Sequence, residues 1–381
     1  MTGTNRLAYI DNIRLIVIIL VLIQHVSVTY SGFGNWYYME AASLGIGQTI
    51  FFGFWQSMTQ AFSMGLLFMI AGYFVPSSLE KKGFAKFISD RLIRLGVPAL
   101  IYMLFINPLV ILGLMGERLE GRIIWSSYSE YLAGWYFIEG SGPLWFALVL
   151  LVFSLLYALL KRFIPSSTAA EVKDRPLPTK LGFLLLMLLI ATGAFLIRIV
   201  LPIGTSIQNM QLCYFSSYIV LFIIGVVSKQ NDWFSKLHYA AGRRWLISAI
   251  VLGFVGFAIV MILGGALDGD LAPFYGGLTW QSAAYALWES FVAVSMSIGL
   301  LAVCKEKLNF QNRLARTMTK NAFSVYVFHP PIIVALTLVF APIGLLPILK
   351  FLIMAIVGIP CCFLVTNFTI QKLPFVKQLF A

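Results

Sequence analysis

Two histidines, an aspartate and several arginines stand in this chain where oily helices ordinarily carry none. The stretch from Arg6 to Tyr30, RLAYIDNIRLIVIILVLIQHVSVTY, is apolar enough to enter a bilayer, yet it holds Asp11 and Arg14 near one end and Gln24 and His25 near the other. An arginine or aspartate at the bilayer centre costs roughly 2.5 to 3.5 kcal/mol on insertion scales, so such groups face a bundle interior or a water-filled cavity. Asp11 and Arg14 are three residues apart, share one helical face and can pair. Arg14 and His25 are separated by about three turns, about 16 Å, and fall on nearly the same face. One stripe therefore offers a charge pair at one depth and, at another, an imidazole able to accept and return a proton near neutral pH.

Two further groups invite the same question. His329, in SVYVFHPPIIV, is the second histidine inside an apolar segment, and a pair of such imidazoles suits proton transfer or nucleophilic activation better than one alone. The plainer alternative is a hydrogen-bonded packing residue. Arg91 and Arg94, in SDRLIRLGVP, put two guanidiniums on one helical face, a match for phosphate oxygens. Their alternative is a topogenic signal. Arg198 reads as a structural cation whose head snorkels to the interface, and His238 as solvated. No P-loop, dinucleotide-binding glycine pattern, G-x-S-x-G or H-E-x-x-H occurs, so nucleotide hydrolysis, nicotinamide chemistry, a serine-hydrolase elbow and zinc catalysis lack support.

The elements that must position these residues are transmembrane. The chain is 60% hydrophobic and 11% charged, with a mean hydropathy of +0.89, against roughly 25% charged in soluble proteins. The expectation is an all-α polytopic membrane protein. Ten apolar stretches are long enough to cross a core of about 30 Å, at 10–30, 51–75, 95–115, 143–160, 182–201, 211–228, 245–265, 281–303, 322–341 and 347–370. The net charge of +12 points to membrane topology and not to nucleic acid, because the cations alternate with the crossings. Of the 27 lysines and arginines, all but Arg14, Arg198, Lys350, Arg118 and Arg122 fall in the termini or in every second connection. Cytoplasmic loops are enriched in such residues, which predicts both termini inside and five outer loops.

Cys213, Cys304, Cys361 and Cys362 sit within or at the ends of apolar segments without C-x-x-C spacing, and read as packing residues; no metal site is expected. The first segment lacks a small-residue cleavage site and should be retained as a helix. Residues 1–381 read as one membrane domain with no appended soluble module. The outer connection 116–142 carries Trp125, Tyr128, Tyr131, Trp135, Tyr136 and Phe137, which fit an interfacial belt or a sugar-stacking surface. The inner connection 161–181, with IPSSTAAEVKDRPLP, reads as a polar surface loop.

Several short motifs occur in an order that resembles the membrane acyltransferase-3 family. RLAYIDNIR with ten residues between Arg14 and His25 is similar to that family's arginine-x10-histidine signature. Phe68 to Phe74, FMIAGYF, resembles F-x-I-S-G-F-F with Ala71 in place of serine. Arg91-Leu-Ile-Arg94 resembles its R-x-x-R element, Gly142-Pro-Leu-Trp145-Phe146 its G-x-x-W-F, and Ser324-Val-Tyr326-Val-Phe-His329 its S-x-Y-x-x-H. The motifs span positions 6–329, and YIDNIR with RLGVPALIYMLFINP looks most like the branch that succinylates periplasmic glucans.

The resemblance implies an O-acyltransferase that moves an acetyl or succinyl group from cytoplasmic acyl-CoA, a donor substrate with no permanently bound cofactor, to a hydroxyl of an extracytoplasmic glycan. It implies His25 as general base or transient acyl carrier, with Arg14 and Asp11 orienting it or the donor carbonyl. Arg91 and Arg94 become contacts to the CoA phosphates, and His329, Tyr326 and Trp145 line the substrate site. The acyl group would pass along a polar seam through the bundle, in a multi-pass protein of the bacterial inner membrane. A transporter or flippase of an envelope precursor is the competing class, favoured by internal repeats, of which none is obvious. A non-catalytic envelope scaffold would leave the buried charges unexplained.

Overall fold

The computed structural model describes residues 7–40, 43–116, 125–163 and 175–372. Arg6, Arg118, Arg122, Lys173 and Lys377 lie outside the described residues. Among the described residues ten helices are long and apolar enough to cross a bilayer: α1 (Ala8–Ser31), α2 (Ile46–Lys82), α3 (Phe84–Met115), α4 (Gly142–Phe163), α5 (Lys180–Val200), α6 (Leu212–Gln230), α7 (Tyr239–Leu263), α8 (Trp280–Lys307), α9 (Arg313–Phe340) and α10 (Pro347–Lys372). With no water in hydrocarbon, each spanning segment must satisfy its own backbone, and the helix does so. The described residues adopt the expected all-α architecture, with ten helices long and apolar enough to cross.

Several helices run past the apolar limits. Only Gly83 separates α2 from α3, so Lys81, Lys82, Lys86, Arg91 and Arg94 ride on helices and not in a loop. The same holds for Arg243, Arg244, Arg316 and Lys320. Apolar length sets the minimum of a crossing, whereas a helix continues into the headgroup region until a capping signal stops it. α1 stops at Gly32, whose φ of 69° is the left-handed C-cap glycine adopts freely. α5, α8 and α9 start where Thr179, Thr279 and Asn312 accept the backbone N–H three residues on.

α2 and α8 form the centre, with 72% of each apolar window buried, while α7 is a lipid-facing strut with 17%. α2 and α6 meet at Gly72, where a Cβ would stand 2.2 Å from the carbonyl oxygen of Phe222, and at Gly225, 2.0 Å from that of Met69. The glycine of FMIAGYF thus permits backbone contact, as small residues do in membrane bundles.

α3 is broken into α-helical and π-helical pieces, the latter at Leu92–Gly96, Tyr102–Ile106 and Leu109–Met115. Pro108 lacks the N–H that its helix needs, and the carbonyls nearby find other donors. Tyr131 Oη donates to Met103 O at 2.5 Å and Tyr128 Oη to Leu104 O at 3.1 Å. The aromatic connection is therefore divided: Trp125 and Tyr131 are buried against α3, and Trp135 is exposed. Burial pushes the Tyr131 phenol up to about 12.

Arg198 departs from expectation. It is wholly buried between α5 and α8, with Nη2 donating to Glu289 Oε2 and Tyr214 and Tyr285 rings 5.3 and 5.5 Å from its guanidinium carbon. Snorkelling requires a path to the interface, and a carboxylate on the facing helix removes the need for one.

Candidate active site

His25 lies two turns before the C-terminal end of α1, and His329 lies within α9, further from its start than the apolar boundary at 322 suggested, because α9 begins at Arg313. The two imidazoles stack with centroids 5.2 Å apart and planes 22° from parallel. Trp36, from the connection after α1, lies 3.8 Å from His25 and 5.9 Å from His329. His329 and Trp36 are buried, while His25 keeps partial exposure. His25 is thus the less enclosed of the two histidines.

His329-Pro330-Pro331 fixes the chemistry of the deeper ring. Pro330 has no N–H to give the carbonyl four residues earlier, which belongs to Tyr326. That oxygen is instead 2.8 Å from His329 Nδ1. A carbonyl only accepts, so Nδ1 carries the hydrogen and Nε2 keeps its lone pair. Nε2 is buried without a protein hydrogen-bond partner.

The loop bearing Trp36 is clamped on both sides. Tyr37 Oη is 2.8 Å from Tyr102 Oη and donates to Asn107 Oδ1 at 2.7 Å, tying the loop to α3. Burial pushes the Tyr37 phenol above its ordinary range, so it stays protonated. Further along, Glu40 pairs with Lys350 of α10 at 2.7 Å. Gln56 of α2 donates to Ser27 and Ser31 at 3.0 and 2.7 Å, holding α1 at the level of His25.

Four of the motifs converge here. Tyr326 is buried and its hydroxyl donates to the carbonyl of Pro143, so it joins SVYVFH to GPLWF and supports His329 from behind. Phe146 lies 6.4 Å from Tyr326 and 4.5 Å from Phe68 of FMIAGYF. Trp145 stacks on Tyr218 at 5.7 Å, and Gln60 donates to the Tyr218 hydroxyl at 2.9 Å.

The arginines are not part of this cluster. Asp11 and Arg14 pair at 3.7 Å, and Arg14 lies over Phe74 at 5.1 Å. Since α1 is continuous from residue 8 to 31, about 16 Å of helix separates Arg14 from His25, and neither Asp11 nor Arg14 orients that ring directly. Arg14 belongs with the cations at the opposite end: Arg91 is within electrostatic reach of both Arg14 and Arg94, and Arg91 lies over Phe87 at 5.0 Å. Arg94 is exposed inside a π-helical turn, a feature frequent at functional sites.

Trp36, Tyr37, Glu40 and Glu289 escaped the sequence reading. Glu289 had a signal, a carboxylate within the span 281–303. Trp36 had a weaker one, a tryptophan six residues past a histidine helix in a glycine-bearing turn, GFGNWYY.

A polytopic bundle that sets two imidazoles against each other at one end and gathers guanidiniums at the other defines an integral membrane protein with ionisable groups inside its apolar helices. The model of the acyltransferase domain family matches residues 7–367. The chain belongs to that family and is a membrane acyltransferase. It is 24% identical over 334 residues to the Glucans biosynthesis protein C of Salmonella gallinarum and to that of Salmonella typhimurium, a match covering 85% of this chain and 81% of each relative. No solved structure matches the chain.

Proposed function

We propose that the protein transfers an acetyl or succinyl group from cytoplasmic acyl-CoA to a hydroxyl of an extracytoplasmic glycan, a glucan being favoured by the name of its relatives, and that it works in the inner membrane of a bacterium. The observation that carries this reading is the separation along α1. Proton-transfer chemistry, His25 against His329 at 5.2 Å, lies about three turns from a guanidinium cluster suited to phosphates. A donor with its phosphates at the arginine end must present its thioester deep in the bundle, where an acceptor from the other side meets it. Both termini then lie in the cytoplasm, in keeping with the alternating cations.

In the proposed reaction His25 takes the proton of the acceptor hydroxyl as its oxygen attacks the thioester carbonyl. The new C–O ester bond forms, the C–S bond breaks, and the departing thiolate takes the proton back from the imidazolium. His329, with Nδ1–H held by the Tyr326 carbonyl, keeps a lone pair beside His25 and steadies the charge that develops there. Trp36 stacks on one face of His25 and limits water there.

Purified protein in nanodiscs, given radiolabelled acetyl-CoA or succinyl-CoA and a glucan acceptor, tests the reading. His25→Ala should lose about 100-fold or more of the transfer rate with an unchanged melting temperature. Full activity in that variant ends the assigned role.

A further inference from the structure

Arg316 and Lys320 counted in the sequence as topogenic charges, yet they line a cavity of about 370 Å³ between α9 and α10, together with Thr317, Asn321, Asn367 and Gln371. The cavity opens at the arginine end of the bundle. It is tied to the start of α1 through Gln311, whose amide reaches Asn12 at 3.2 Å and Thr319 at 3.3 Å. Arg316 and Lys320, four residues apart, project from one face of α9 and are exposed at the rim. The floor is amide: buried Asn321 donates to Asn367 at 2.9 Å, and Gln371 donates to Ser324 at 2.6 Å.

Its volume falls in the range of roughly 300 to 1,000 Å³ typical of small-molecule sites, but its lining differs from most. All six residues are polar. Two cations suit phosphate oxygens, and the carboxamide atoms not spent on one another, the Asn367 NH2 and the Gln371 carbonyl among them, leave a donor and an acceptor for the polar edge of a nucleobase. A phospholipid headgroup would use the cations and make no use of the carboxamide atoms that remain open to the cavity.

We propose that this cavity binds a phosphorylated nucleoside, and, resting on the thioester-donor reading above, that it holds the nucleotide end of the acyl donor. Arg91, Arg94 and Arg14 then guide the phosphate-bearing ligand electrostatically toward the same end of the bundle.

The probe is adenosine 3′,5′-bisphosphate, titrated onto the full-length protein in phosphatidylcholine nanodiscs, with transfer from acyl-CoA measured on the same preparations. Binding should weaken with added salt, and R316Q/K320Q should weaken it by about tenfold or more, since charge-assisted contacts are the strong ones. N367D, which puts a negative charge on the floor, should weaken it likewise, and retained melting temperatures show that these variants fold. Undiminished binding by R316Q/K320Q overturns the proposal. So does transfer from acyl-CoA without bisphosphate binding, which leaves the donor reading intact. Bisphosphate binding without transfer from acyl-CoA sinks the donor reading and keeps the nucleotide site. Retention of phosphatidylglycerol by wild type but not by R316Q/K320Q, with no nucleotide bound, assigns the cavity to a lipid headgroup and also overturns the proposal.

Discussion

Asp11–Arg14 and Arg198–Glu289 are both arginine–carboxylate pairs inside apolar helices, and their settings are opposite. The first joins residues three apart on one helix at 3.7 Å, with the side chains 40% and 18% exposed. The second joins α5 to α8, with side chains 0% and 6% exposed. A charge that keeps solvent access can exchange its partner for a ligand, whereas one closed between helices and walled by tyrosine rings is committed to the fold. Ionisable residues in a membrane chain are thus of two kinds, and exposure tells them apart where sequence does not.

The largest effect should come from splitting the closed pair. Glu289→Gln leaves Arg198 charged in a dry site, and breaking a buried pair from one side costs about 3 to 5 kcal/mol. Thermal unfolding in detergent should show a collapse of the melting temperature or a loss of monodisperse protein. Arg198→Met combined with Glu289→Leu removes both charges and should recover most of the stability. A Glu289→Gln protein as stable as wild type would mean that the pair is open to water and belongs with the first kind.

Lys350–Glu40 sharpens the contrast, because it is nearly closed yet holds the loop that carries Trp36. Lys350→Met with Glu40→Leu should keep the fold but free that loop to move against His25. A misplacement of about 1 Å at an active site can lower a rate by about 100-fold. The transfer rate should therefore fall in the double variant while its melting temperature stays near that of wild type. Equal retention of both would make Glu40 a packing residue alone.

The number and order of crossings were legible because oily length and the alternation of cations are local properties of the chain. Asp11 pairing with Arg14 was legible for the same reason, being a matter of three residues on one helix. The meeting of His25 with His329 was not, since nothing in either segment encodes which helices become neighbours across 304 residues. The tautomer of His329 was not legible: the proline after it removes the donor that the Tyr326 carbonyl would otherwise have had, but which ring nitrogen turns to that oxygen is set by the side-chain rotamer. Arg198 was misjudged because its apolar helix was read alone, and its partner stood on another. Arg316 and Lys320 were absorbed into a topological count, which is blind to the concavity that α9 and α10 form around them.

The smallest structural effect, and the most informative kinetic one, should come from the open pair. Arg14→Gln removes a half-exposed guanidinium, and exposed pairs contribute about 0 to 1 kcal/mol, so the melting temperature should hardly move. If Arg14 acts with Arg91 and Arg94 on donor phosphates, its loss weakens the ground state and the transition state alike. KM for acyl-CoA should then rise severalfold with kcat nearly constant. If it acts instead on the reacting carbonyl, kcat falls and KM holds. The second outcome would require the carbonyl to approach within hydrogen-bonding reach of Arg14, about three turns from His25, and so would remove the imidazole pair from the reacting atoms. Steady-state kinetics on one conservative variant therefore decides which end of α1 carries the chemistry.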